Sequence, residues 1–218
     1  MRFNFSEVSS NINEVEESFR LHCCGKLRHF LQKYEHILGK EIWNVLNEET
    51  LEEPGALLSA INSYATLKGD IKIYLLIDEY DNFTNTILST YGTEFYRKAT
   101  HGEGFIRGFF NVIKSATTGT GAALERLFIT GVSPVTMDDV TSGFNIGTNI
   151  TNDSWFNDLV GFSENELREM LEYYKEQGVL QESIDEIVAM MKPNYDNYCF
   201  SEDTLEQCMF KNCQEYLS

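Results

Sequence analysis

Basic residues are scarce in this chain. Its 218 residues include 17 Lys and Arg against 34 Asp and Glu, a formal charge of −17. Affinity for nucleic-acid backbones comes from clustered Lys and Arg, and here they are few and scattered, so a nucleic-acid surface is not expected. The acidic imbalance is strongest after Val160, where it reads either as a solvated helical region or as a docking face for a basic partner. The five cysteines, Cys23, Cys24, Cys199, Cys208 and Cys213, are odd in number and form no C-x-x-C pair, which points to reduced thiols instead of a zinc site or a disulfide framework. No apolar run approaches the length that crosses a bilayer. The opening Met1-Arg-Phe-Asn-Phe-Ser6 lacks the character of a signal peptide, so a cytoplasmic location is expected.

The most consequential absence is a Gly-x-x-x-x-Gly-Lys-Ser/Thr loop, the sequence that cradles phosphates on backbone amides. Gly25-Lys26 is followed by Leu27, with Arg20 where the first glycine belongs; Gly39-Lys40 is followed by Glu41, with Tyr34 in that place. Both pairs lie in or at the end of helical patterns. The glycine-containing stretch from Thr117 to Ala123 has no lysine and reads as a loop before a strand.

What the chain does have is Ile73-Tyr-Leu-Leu-Ile-Asp78-Glu79. Its five apolar residues suit a strand buried on both faces of a parallel sheet. Ligands of open α/β sheets sit beyond the carboxyl ends of the strands, which places Asp78 and Glu79 at the chemically useful end. An Asp there can hold Mg²⁺, and the following Glu can orient or deprotonate an attacking water. Asp81 and Asn82 thicken the local polar field. The competing reading makes Asp78 the cap of a following helix. A third, a metal-dependent hydrolase built on Asp78, Glu79 and Asp81, lacks an identifiable histidine or further carboxylate beside them.

Around this strand the pattern alternates helix and strand. Residues 1–5 read as a short strand. Asn11 or Asn13 caps a helix running to Leu38, on which His22, His29 and His36 form a stripe; successive members stand about 10 Å apart along the axis, too far to share one metal ion. A second helix follows Pro54 and ends at Gly69-Asp70. The helix–strand order predicts parallel pairing of the first strand with the Ile73 strand. A helix over 105–115 leads to Leu127-Phe-Ile-Thr130-Gly131, a strand whose hydroxyl exit is placed to sense a γ-phosphate or a nucleophilic water if the two strands are neighbours; Thr-Gly is also a common strand exit. Beyond Gly161 the pattern is helical. Ser163 and Glu166 form a capping box, Gly178 ends that helix, a second spans 182–191 before Pro193, and a last amphipathic segment covers 203–216.

Several segments together resemble one family, the AAA-ATPase-like domain of bacterial proteins that typically carry a PD-(D/E)XK nuclease-like domain further along the chain. They are Leu75-Leu-Ile-Asp-Glu-Tyr-Asp81, Phe109-Phe-Asn-Val-Ile-Lys114, Phe128-Ile-Thr-Gly-Val-Ser133, Ser142-Gly-Phe-Asn145 with Asn149-Ile-Thr151, Gly161-Phe-Ser-Glu-Asn-Glu-Leu167, and Tyr195-Asp-Asn-Tyr198 with Phe200. The Asp-Glu-Tyr-Asp and Ile-Thr-Gly-Val-Ser pieces are the specific ones. The resemblance implies a partial P-loop NTPase-like three-layer sandwich with a parallel sheet over 1–160, lacking the strand-loop-helix that carries the phosphate loop, and a small helical lid-like subdomain over 161–218. It implies Mg²⁺ and ATP as cofactors, with Asp78 on the metal, Glu79 on the water and Thr130 as sensor. Two departures stand out. Asn197 replaces an expected glycine, a position Asn tolerates, and the family's strand, glycine-rich Lys-Ser/Thr loop and helix are missing. In such ATPases that strand lies at the centre of the sheet, so an interior edge is expected to be unpaired and to invite self-association or a protein partner that supplies a strand. The alternative is a non-catalytic interaction domain that kept the fold. The triplet Asp70-Ile71-Lys72 matches a nuclease pattern but precedes the Asp78 strand, the wrong place for one.

Overall fold

The structure is a computed structural model, and it describes residues 1–119, 121–132, 147–159 and 161–195. The sequence segments 142–145, 196–200 and 203–216 lie outside the described residues. The chain forms two compact units, Met1–Gly147 and Thr148–Ser218.

In the first unit, β1 (Arg2–Asn4) leads through a 3₁₀ turn, Phe5–Glu7, to helix α1 (Val15–Lys33). Then follow α2 (Glu35–Leu38), a 3₁₀ segment Lys40–Val45, α3 (Glu48–Glu52), α4 (Pro54–Lys68) and β2 (Ile73–Asp78). Helices α5 (Asn82–Tyr91), α6 (Thr93–Thr100) and α7 (Phe105–Thr117) precede β3 (Leu124–Ile129). Helix α4 has clear local causes. Pro54 occupies its first turn, the Glu53 carboxylate accepts from the Gly55 and Ala56 amides, and Gly69 closes it in the left-handed conformation at φ 81°, the usual proline-start, glycine-stop pair.

The three strands form one parallel sheet in the order β1-β2-β3, so the expected pairing of the first strand with the Ile73 strand is observed. One face is packed. Phe3, Ile73, Leu75 and Ile77 are buried with α1, α4, α5 and α7, and the Phe19 ring lies 5.3 Å from Phe5, 5.1 Å from Phe105 and 5.4 Å from Phe109. Edge-on and tilted aromatic contacts of this kind add to the burial of apolar area and fix α1 and α7 against the end of β1.

The other face corrects an expectation. The Ile73–Ile77 run is not buried on both faces: Tyr74 is 57 % exposed, Leu76 43 % and, beside it on β3, Phe128 44 %. Strand side chains alternate, and helices cover only one set, so the described residues of this unit form two layers, a sheet and its helices.

Two helix boundaries also differ. The helix expected to reach Leu38 breaks at Tyr34 (φ −107°, ψ 16°), so His36 lies on α2, apart from His22 and His29. Neither Asn11 nor Asn13 is the cap residue; the Asn11 carbonyl accepts from the Glu14 and Val15 amides, one turn ahead of the helix.

In the second unit, a 3₁₀ turn Ser154–Leu159 precedes α8 (Glu164–Glu176) and α9 (Ile184–Tyr195). The capping box is formed: Ser163 Oγ accepts from the Glu166 amide at 3.2 Å and Glu166 accepts from the Ser163 amide at 2.8 Å. Leu167, Leu171, Ile187, Val188 and Met191 make a small separate core. Pro193 does not stop the last helix but sits inside it. Two residues from the end, it withdraws only one intrahelical bond. No helix of the described residues is long and apolar enough to cross a membrane.

Candidate functional site

Asp78 ends β2 and Thr130 follows β3 directly, and the parallel register that pairs Ile77 with Ile129 carries the two to the same level. The ladder continues past the strands, with the Thr130 amide donating to the Ile77 carbonyl at 2.8 Å and the Tyr80 amide to the Thr130 carbonyl at 3.1 Å. Their side chains meet: Thr130 Oγ1 donates to Asp78 Oδ1 at 2.6 Å. On the other side β1 supplies Arg2, whose Nη2 donates to Asp78 Oδ2 at 2.9 Å. Both carboxylate oxygens are thus hydrogen-bonded, and the Thr130 hydroxyl first, then the Arg2 guanidinium, hold the Asp78 carboxyl below its ordinary value.

Glu79 is the one non-glycine residue with positive φ among the described residues, at 50°. A left-handed Glu is uncommon and costs backbone energy. The conformation is stabilised locally by Asn82, which donates from its side chain to Glu79 Oε2 at 2.9 Å and from its amide to the Glu79 carbonyl at 3.1 Å.

Asp81 has a different job from the one its proximity suggests. It is buried, and its two oxygens accept from the Val132 amide at 3.1 Å each while Oδ2 also accepts from Asn85 Nδ2 at 2.8 Å. It clamps the exit of β3 to the start of α5. Asp81, and not Asp78, occupies the cap position of that helix. Next to it, Gly131 has no room for a side chain, since a Cβ there would strike the Tyr80 ring and lie 2.6 Å from Asp81 Oδ1.

No group of three or more His, Cys, Asp or Glu able to hold a metal exists among the described residues, so the three-carboxylate cluster of Asp78, Glu79 and Asp81 is not formed. A cation at Asp78 would rest on one carboxylate and the Thr130 hydroxyl, hard oxygen donors suited to magnesium with most of its water retained. Among the described residues the cysteines offer no second site: Cys23 and Cys24 are buried and free, and burial pushes the Cys24 thiol up to about 11. The structure brings Asp78 and Thr130 together, while Glu79 follows Asp78 in the chain with its carboxylate held by Asn82. It adds Arg2, which no local motif marks, and gives physical roles to Asn82 and Gly131, both within segments already singled out in the sequence.

A parallel α/β sheet carrying these groups at its carboxyl edge is consistent with the P-loop NTPase class. A family model described as a predicted AAA-ATPase matches residues 1–141, and the chain belongs to that family. Membership implies nucleotide binding. No curated protein and no solved structure matches the chain.

Proposed function

We infer that these residues form the cation- and water-handling half of an ATP-hydrolysing site, which works when a phosphate-gripping loop is joined to it. The observation that carries this reading is the Thr130–Asp78 hydrogen bond at 2.6 Å, with Glu79 beside it, at the carboxyl ends of adjacent parallel strands. Asp78, with the Thr130 hydroxyl next to it, would hold magnesium, whose positive charge offsets the negative charge of phosphate oxygens. Glu79, on releasing Asn82, orients the attacking water and takes its proton. Thr130 turns its hydroxyl to the γ-phosphate or that water. The helical unit has the part of a lid in this scheme, on chain order.

The sheet supports the need for an added piece. Among the described residues β3 pairs on one side only, and Tyr74, Leu76 and Phe128 stand exposed on the open face. A strand–loop–helix would lay its strand along β3 and its helix on that face, bringing the loop to the Asp78 end.

Calorimetric titration with Mg-ATP tests this. A protein extended by such a strand–loop–helix should bind and hydrolyse ATP, the same protein with Glu79→Gln should bind without turnover, and Asp78→Asn should remove the magnesium dependence. Silence of the extended protein sinks the assignment. The 218 residues alone should hydrolyse ATP negligibly, and a turnover that disappears in Glu79→Gln would refute the need for the added loop. The exposed apolar face favours a second reading, a non-catalytic interaction domain, which stands if nucleotide titration is silent while a pulled-down partner is lost on Phe128→Lys.

A further inference from the structure

Arg2 has no part in the scheme above, yet it makes the closest cationic contact to its central carboxylate. Its backbone pairs with Leu76, two residues before Asp78, so the side chain lies on the open face and runs along the strand to reach Asp78 Oδ2 at 2.9 Å. With Oδ1 taken by Thr130, the carboxylate has both oxygens engaged by its own chain. The Arg2 side chain is 65 % exposed and that of Asp78 38 %. Exposed ion pairs of this kind are weakly held and exchange readily with solvent ions.

We propose that Arg2 is an internal counter-ion that closes Asp78 in the resting protein and must leave Oδ2 before a divalent cation can bind there. The proposal rests on the magnesium role given to Asp78. Guanidinium and cation compete for the same oxygen, and each also repels the other, so the site stays shut until a ligand with enough charge displaces the arginine. A fixed positive charge a few ångströms from a dication is unfavourable even in high dielectric. Removing it should tighten cation binding in the free protein. The arginine's exposure means that its loss leaves the packed face of the sheet untouched.

The test is Mn²⁺ binding, followed by the disappearance of the free-ion electron paramagnetic resonance signal at low ionic strength, in the wild type and in Arg2→Met, with Arg2→Gln as a second neutral variant in case the first does not fold. The neutral variants should bind Mn²⁺ about tenfold more tightly than the wild type. The advantage should shrink in high salt and vanish when Asp78→Asn is added. Equal affinity of wild type and neutral variants, with loss of binding in Asp78→Asn, overturns the counter-ion role and leaves the cation site standing. Absence of binding in every variant overturns both. A gain that survives Asp78→Asn also refutes the proposal, because the competition would then lie elsewhere.

Discussion

Glu79 illustrates how a residue legible from sequence can carry a property that is not. The pair Asp78-Glu79 stands out after an apolar run, but the positive φ of Glu79 follows from the way the chain turns into α5 under the hold of Asn82 and Asp81. Thr130 was readable as a hydroxyl at a strand exit. Gly131 was readable as a strand-exit glycine within the Ile-Thr-Gly-Val-Ser piece, and the structure gives it a steric reason, the Tyr80 ring and Asp81 filling the space a Cβ would take. Gly131→Ala should therefore destabilise the first unit by about 1–3 kcal/mol, the usual cost of overpacking a site that cannot yield. Urea denaturation followed by circular dichroism would measure it. An unchanged midpoint would mean that Tyr80 swings away without penalty.

At the scale of elements, local signals did well where the cause is local. The start and stop of α4, the capping box of α8 and the parallel partnership of β1 with β2 all follow from residues near the boundaries or from chain order. The long first helix was harder, because its break at Tyr34 has no proline or glycine to announce it; α6 has no counterpart among the expected elements, and α5 has one only in the reading that makes Asp78 a helix cap. The junction of β1 with α1 is held in part by His22, whose ring sits 6.4 Å from Phe3 and 6.0 Å from Phe5, with Nδ1 3.5 Å from Glu7 and Lys26 also facing that carboxylate. Burial lowers the His22 value from its ordinary 6.5, partly countered by Glu7 and aided by Lys26. The unfolded chain then takes up the proton first, so His22 favours folding fully above pH 6.5 and this stability is lost as pH falls toward the lowered native value. Urea midpoints across that window should drop with pH in the wild type and lose part of the slope in His22→Leu; identical slopes would remove His22 as the cause.

For the whole molecule, the sheet is the decisive object. It has a packed face, an open face with three large apolar side chains, and in β3 an outer edge without a partner strand among the described residues. Unpaired parallel edges recruit other chains, and an apolar patch on a sheet adds area to any such contact. The 218 residues should associate with increasing concentration in sedimentation-velocity runs, and Phe128→Lys should shift the population toward monomer. A stable monomer with a single cooperative urea transition would show that the outer edge of β3 recruits no partner strand.

The sequence by itself determined the acidic strand end, the hydroxyl exit opposite it, the absence of a phosphate loop and the family. These are short-range or compositional signals, written within a few consecutive residues. Only the tertiary structure decided that one sheet face stays open among the described residues, that Asp81 joins the exit of β3 to the start of α5, and that Arg2 pairs with Asp78. The physical reason is distance along the chain: the Asp78 contacts with Thr130 and Arg2 join residues 52 and 76 positions apart. Strand register sets such contacts, and a slip of one residue would turn each side chain to the other face.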